Sequence, residues 1–121
     1  MPGGFEVVVV DDASTDNSVA VVESYMAACA MPVRLLKHPA NRGLADSRNA
    51  GLHATLAPLV FILDADNRLR PECLQAHYEA ITGTDFAVVY AHVNRFDHAT
   101  GDSLGVMYNL EWDPRLFVTH P

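Results

Sequence analysis

Two pairs of aspartates stand where apolar runs end. Asp11 and Asp12 follow Phe5-Glu-Val-Val-Val-Val10, and Asp64 and Asp66 follow Leu59-Val-Phe-Ile-Leu63. Asp64 and Asp66 are one residue apart, so both can face a common point from a tight loop. Oxygen-only donors at such a place suit a hard divalent cation, Mg2+ or Mn2+, and that cation would bridge a diphosphate. Carboxylates also cap helices, and either pair alone is equally well explained as a cap, Asp11 and Asp12 for a helix after Ser18 and Asp64 and Asp66 for a helix at Pro71. Placement favours a binding site. Ligands of an open parallel α/β sheet bind beyond the carboxyl ends of its strands, and both pairs fall at that edge.

Those strand ends must be held by a fold, and the chain supplies three strand-helix units in succession. Residues 5–10 are a β-branched run that suits a strand buried on both faces of a parallel sheet. The loop 11–18 is rich in helix-capping side chains, and Val19, Val22, Met26 and Cys29 then recur at helical spacing. Residues 33–37 form a second strand, Pro39 and Gly43 break any helix in the loop 38–43, and a helix is predicted over about 44–56. Residues 59–63 read as a third buried strand. The loop 64–70 leads to Pro71, which suits the first turn of a helix reaching about Ile81. Three such units imply an α/β fold, a mostly parallel sheet with crossover helices. Beyond them, 86–94 and 103–110 flank the turn signal His98-Ala-Thr-Gly-Asp102, which predicts a β-hairpin, and Asp113-Pro114 would cap a last helical turn. No repeat or low-complexity segment interrupts the chain.

Composition bounds the function. With 121 residues, half of them hydrophobic, the chain has the size of one domain with one core. A net charge of −7, with a single lysine, Lys37, beside seven arginines, excludes a nucleic-acid binder that relies on a basic face. An acidic chain that holds an anion needs a local device: a metal ion, a helix N-terminus or a few placed arginines. Cys29 and Cys73 are too few for a disulfide scaffold and lack metal-ligand spacing, so free thiols in a reducing compartment are expected. The histidines, His38, His53, His77, His92, His98 and His120, show no metal spacing, and His53 and His77 fall on solvated helix faces. No signal peptide or spanning segment is read, which predicts a cytoplasmic domain that a partner or further segment could dock on a membrane.

Three motifs carry a resemblance. Val9-Val-Asp-Asp-Ala-Ser-Thr-Asp-Asn-Ser18, Asn41-Arg-Gly-Leu-Ala-Asp-Ser-Arg-Asn-Ala-Gly51 and Leu63-Asp-Ala-Asp-Asn67 with Pro71 shortly after resemble, in order and spacing, the motifs of family 2 glycosyltransferases, over residues 5–110. The resemblance implies a Rossmann-like GT-A fold closed by the hairpin. It also implies transfer of a sugar from a nucleoside diphosphate sugar donor, UDP-linked, to an acceptor, with Mn2+ or Mg2+. By it Asp12 would accept a hydrogen bond from the imide nitrogen of uracil, Asp11 would support the turn, Asp66 would be the principal metal ligand and Asp64 would lie near the ribose or the metal. Arg48 would reach the base or the diphosphate. A fixed cation, aided by Arg48, would stabilise the negative charge that builds on the departing diphosphate.

The resemblance also implies what lies elsewhere. Family members open with a further strand bearing a Pro-Thr-Tyr-Asn type motif, whereas this chain begins at the second strand, so a central strand is expected to be missing. The carboxylate general base of inverting members lies beyond the hairpin, and Glu111 and Asp113 sit too early for it. This polypeptide alone is therefore expected to be inactive, and an uncovered sheet edge predicts self-association as a homodimer, by strand pairing or exchange. Two rivals share the acidic strand ends. A response-regulator receiver, phosphorylated on Asp64 beside Mg2+, would need a lysine after a later strand, and none follows Lys37. Phosphatases with Asp-x-Asp call for Thr or Val where Asn67-Arg68 stands. A vestigial, inactive nucleotide binder is compatible with the family.

Overall fold

Val7, Val8, Val9 and Val10 are stiff at χ1 and favour extended backbone. They form β1 (Val7–Asp11), which pairs in parallel with β2 (Val33–Lys37) in the register Val7↔Val33 to Asp11↔Lys37. Two further backbone bonds prolong the ladder, Val7 N–H to Pro32 O at 2.9 Å and His38 N–H to Asp11 O at 2.9 Å. The computed structural model describes residues 4–107, and the chain divides into two units, Met1–Arg70 and Pro71–Pro121.

In the first unit the helices α1 (Ser18–Ala28) and α2 (Leu44–Ala54) take opposite faces of the β1–β2 ribbon. Strand alternation puts Val7 and Val9 on one side and Val8 and Val10 on the other. Val21, Val22 and Tyr25 of α1 line a cavity with Val7 and Val9. On the other side, a Cβ at Gly51 of α2 would stand 3.4 Å from Cγ2 of Val10, so only a minimal side chain lets α2 come this close. α2 runs back against the strands. Its last carbonyls carry the negative end of the helix dipole, and the guanidinium of Arg34 donates to Ala54 O while pairing with Glu6 at 3.2 Å. Glu6 also accepts from Thr55 Oγ1 at 2.8 Å. The C-terminus of α2 is thus tied to the amino end of the sheet, which leaves its N-terminus at the carboxyl end.

Two expectations fail here. Residues 59–63, predicted as a third buried strand, belong to neither sheet and are between 40% and 59% exposed. An apolar run becomes a strand only when a neighbour accepts its ladder bonds, and among the described residues β1 is paired on the β2 side alone. β1 itself, expected to be buried on both faces, is half-buried throughout, and no described residue is fully buried. A ribbon of two strands is too narrow for the helices on its two faces to close a core over it.

The second unit holds α3 (Cys73–Ile81) and a hairpin of β3 (Val93–Phe96) and β4 (Ser103–Met107). The hairpin is antiparallel, with an irregularity after Arg95, where the pairing steps from Gly105 to Ser103. Its turn is built by Asp97, whose Oδ1 accepts from the N–H groups of Ala99 and Thr100 at 2.8 and 2.9 Å, while Gly101 adopts φ 79°. Hydrogen bonds from Thr100 first, then Ala99, hold the Asp97 carboxyl below its ordinary value. The first hairpin arm, predicted over 86–94, lies later in the chain: only Val93 and Asn94 of that range are in β3, which runs on to Phe96. His53 is exposed as expected, but His77 is half-buried and bonded through Nδ1 to Cys73 O at 2.8 Å. Both cysteines are free. Among the described residues no helix is long and apolar enough to cross a membrane. Residues 108–110, Glu111, Trp112, Asp113-Pro114 and His120 lie outside the described residues.

Candidate functional site

Parallel pairing brings the carboxyl ends of β1 and β2 side by side, so the residues after Asp11 and Lys37 meet. These are Asp12 and His38. The Nδ1 of His38 stands 2.7 Å from Asp12 Oδ1, and because an ionised carboxylate only accepts, that nitrogen carries the proton. Oδ1 also accepts Arg42 N–H at 2.9 Å, and Oδ2 accepts Gly43 N–H at 2.8 Å. Asn41 Nδ2 reaches Asp12 O at 3.4 Å. The loop 38–43 is therefore wrapped around one carboxylate at the N-terminus of α2. Gly43, the residue preceding α2, sits at φ 86°, where a Cβ would be strained.

Charge and geometry agree. The His38 side-chain bond first, then the Arg42 and Gly43 amides, lower the Asp12 carboxyl from its ordinary value to about 2, against an opposing desolvation effect. Because the folded value lies below the unfolded one, the hold on the loop is complete above about 3.9, the ordinary aspartate value. It is lost as the pH falls through about 2. An acid titration followed by the Asp12 carboxyl carbon shift should show a midpoint near 2, with the Arg42 and Gly43 amide shifts moving in step. A midpoint near 4 would mean that the loop does not grip Asp12 in solution.

Asp11 accepts Ser14 N–H through Oδ2 at 3.3 Å, across a turn in which Ala13 takes φ 62°. A left-handed alanine costs about 1–2 kcal/mol relative to glycine's freedom there. Ala13→Gly is expected to be neutral or slightly stabilising in urea denaturation, and Ala13→Val to destabilise by about 1–2 kcal/mol. The two substitutions shifting the midpoint alike would argue against the strained turn. A cleft of about 350 Å3 opens beside this turn, between α1 and the sheet, with Asp11, Ser14, Ser18 and Ala65 among its lining residues.

Arg48, on the second turn of α2, donates from Nη2 to Asp64 Oδ1 at 2.6 Å. Asp64 opens a turn closed by Asn67 N–H to Asp64 O at 3.0 Å, with exposed Asp66 two residues along. Both partners of the ion pair are about two-fifths exposed, and such pairs are worth about 1 kcal/mol or less. A diphosphate could draw Arg48, or a cation Asp64, against little resistance. Among the described residues no group of three or more His, Cys, Asp or Glu is placed to hold a metal. The donor set at 64–67 is two hard carboxylates, which fits a Mg2+-like ion bound by one or two carboxylates with phosphates and water completing its shell.

Of the residues singled out in the sequence, Asp11 thus ends β1 and Asp12 opens the loop after it, while Arg48 and Asp64 are joined directly. Asp66 lies on the Asp64 turn. Metal-ligand spacing does not single out His38. The signal that finds it is register: Asp11 opposite Lys37 places the next two residues, one acidic and one a histidine, beside each other.

The comparisons with known proteins agree with the motifs. The description Glycosyl transferase family 2 matches residues 2–115. Glycosyltransferase GlyG of Streptococcus pneumoniae serotype 4 is 27% identical over 80% of this chain and 32% of its own length. An uncharacterised glycosyltransferase of Nostoc sp. is 34% identical over 76% of this chain and 28% of its own. YibD of Escherichia coli K12 is 31% identical over 81% and 28% respectively. The chain thus spans about a third or less of the length of these relatives. No solved structure matches it significantly. With a family match that takes in both strand ends, the loop 38–43 and the Asp64 turn, this chain belongs to glycosyl transferase family 2.

Proposed function

We propose that this chain is the donor-binding part of an enzyme that transfers a sugar from a nucleoside diphosphate sugar, UDP-linked, to a glycan acceptor. The observation that carries the proposal is the Asp12 carboxylate. A carboxylate offers about four lone-pair positions. His38 and Arg42 occupy those of Oδ1 and Gly43 one of Oδ2, so one acceptor position remains at the sheet edge for an imide N–H. Uracil offers that donor, whereas the matching ring nitrogen of cytosine only accepts.

The other residues follow from their placement. Arg48, released from Asp64, would meet the diphosphate, and Asp66 with Asp64 would hold Mn2+ or Mg2+. When bound, that cation supplies positive charge to the diphosphate as the sugar leaves it. Asp11 keeps the turn that aims Asp12. Relatives named for succinoglycan biosynthesis and lipopolysaccharide core biosynthesis, both in Rhizobium meliloti, support a glycan acceptor and a place on the cytoplasmic face of a membrane, where free nucleotide sugars are available. A homodimer through the edge of β1 that no described strand covers belongs to the same proposal, and a monodisperse monomer in light scattering would remove it.

The decisive measurement is calorimetric titration of the folded chain with UDP, with and without Mn2+. Binding that strengthens with the metal is the expected result. No metal-dependent binding would overturn donor binding by this chain.

A further inference from the structure

Three donors converge on Asp12, and they come from two elements. Arg42 and Gly43 give backbone N–H groups from the loop before α2, one to each oxygen. The terminal torsion of aspartate is broad, so two bonds from the one loop fix the carboxylate plane less firmly than three from two elements. His38 acts from the end of β2. Its own N–H is fixed to Asp11 O at 2.9 Å as the last rung after β2, its side chain is only 8% exposed, and its Nδ1 lies 2.7 Å from Asp12 Oδ1. A third, rigid donor on Oδ1 fixes the plane and so fixes the direction of the one lone pair left on Oδ2.

We infer that His38 is a positioning residue that sets base selectivity, by holding the Asp12 carboxylate so that its unoccupied Oδ2 position points at the nucleobase imide. This rests on the proposal that Asp12 meets the base of the donor. The choice of nitrogen makes the inference specific. Asparagine at position 38 can place its amide nitrogen near that of Nδ1, whereas the longer glutamine places its own near Nε2, away from Asp12. A histidine that only fills space would tolerate either amide.

The test compares UDP and CDP binding by calorimetry, at saturating Mn2+, for the full chain and for His38→Asn, His38→Gln and His38→Leu. The unsubstituted chain and His38→Asn are expected to bind UDP within about threefold of each other and to prefer it over CDP. His38→Gln and His38→Leu should lose about tenfold in UDP affinity, the size expected for one charge-assisted bond, and most of the preference. Should His38→Leu fail to fold, the Asn and Gln pair decides. Equal UDP affinity and equal preference in all folded variants would overturn the inference. The Asp12 carboxyl titration is a second reading that needs no nucleotide. It should move up from about 2 in His38→Leu and His38→Gln but much less in His38→Asn. If the unsubstituted chain prefers no nucleotide, donor recognition fails. Positioning of Asp12 by His38 then stands or falls on that titration alone.

Discussion

Asp12→Asn should weaken UDP binding by about 100-fold. Three N–H groups point at the Asp12 carboxylate, two at Oδ1 and one at Oδ2. An asparagine can keep its oxygen in the Oδ1 position, but its amide nitrogen then faces Gly43 N–H. Donor meets donor there, and the position offered to the imide becomes a donor as well. Two unfavourable contacts are created where two favourable ones stood, which sets the size of the loss. The same change should loosen the loop 38–43, so the Arg42 and Gly43 amides should exchange with solvent faster than those of β1. UDP binding by a folded Asp12→Asn chain at unaltered affinity would remove Asp12 from the donor site.

The largest effect on stability is expected at Gly51. A methyl group there would meet Val10 Cγ2 at 3.4 Å, an ordinary contact, and alanine favours helix over glycine by about 1 kcal/mol. Gly51→Ala is therefore expected to stabilise, by about 0.5–1 kcal/mol. Gly51→Phe has no such room. It must push α2 away from β1 and is expected to destabilise by about 2–3 kcal/mol in urea denaturation. Because α2 carries Arg48 and follows the loop around Asp12, UDP binding should weaken too. A Gly51→Phe chain as stable as the original would show that α2 does not lean on β1 through this residue.

Much of the local architecture was legible in the sequence, for a physical reason. β1, β2, α1, α2, α3 and the hairpin are specified by short-range signals: β-branched runs, helical spacing, Pro39 and Gly43 as breakers, and the turn at Asp97 to Asp102. Residues 59–63 have the same apolar signal as β1 yet join no sheet, because strand formation is settled by a neighbour's hydrogen bonds and not by the run itself. The limit was similar at the site. Asp12, Arg48 and Asp64 were visible as residue types, but the bond between Arg48 and Asp64 crosses sixteen positions and depends on where α2 is laid. His38 needed the β1–β2 register, which no periodicity within either strand contains.

The same register has a thermodynamic consequence. Asp12 and His38 are the next residues after a five-pair ladder, so opening the ladder and dismantling the grip on Asp12 are one event. A ligand that needs that grip binds only the closed form. It must therefore suppress opening of β1 and β2 by the factor 1 + [L]/Kd, about 100-fold at a hundred times Kd. Amide exchange along Val8, Val9 and Val10 then becomes a meter of occupancy, read from the ladder itself.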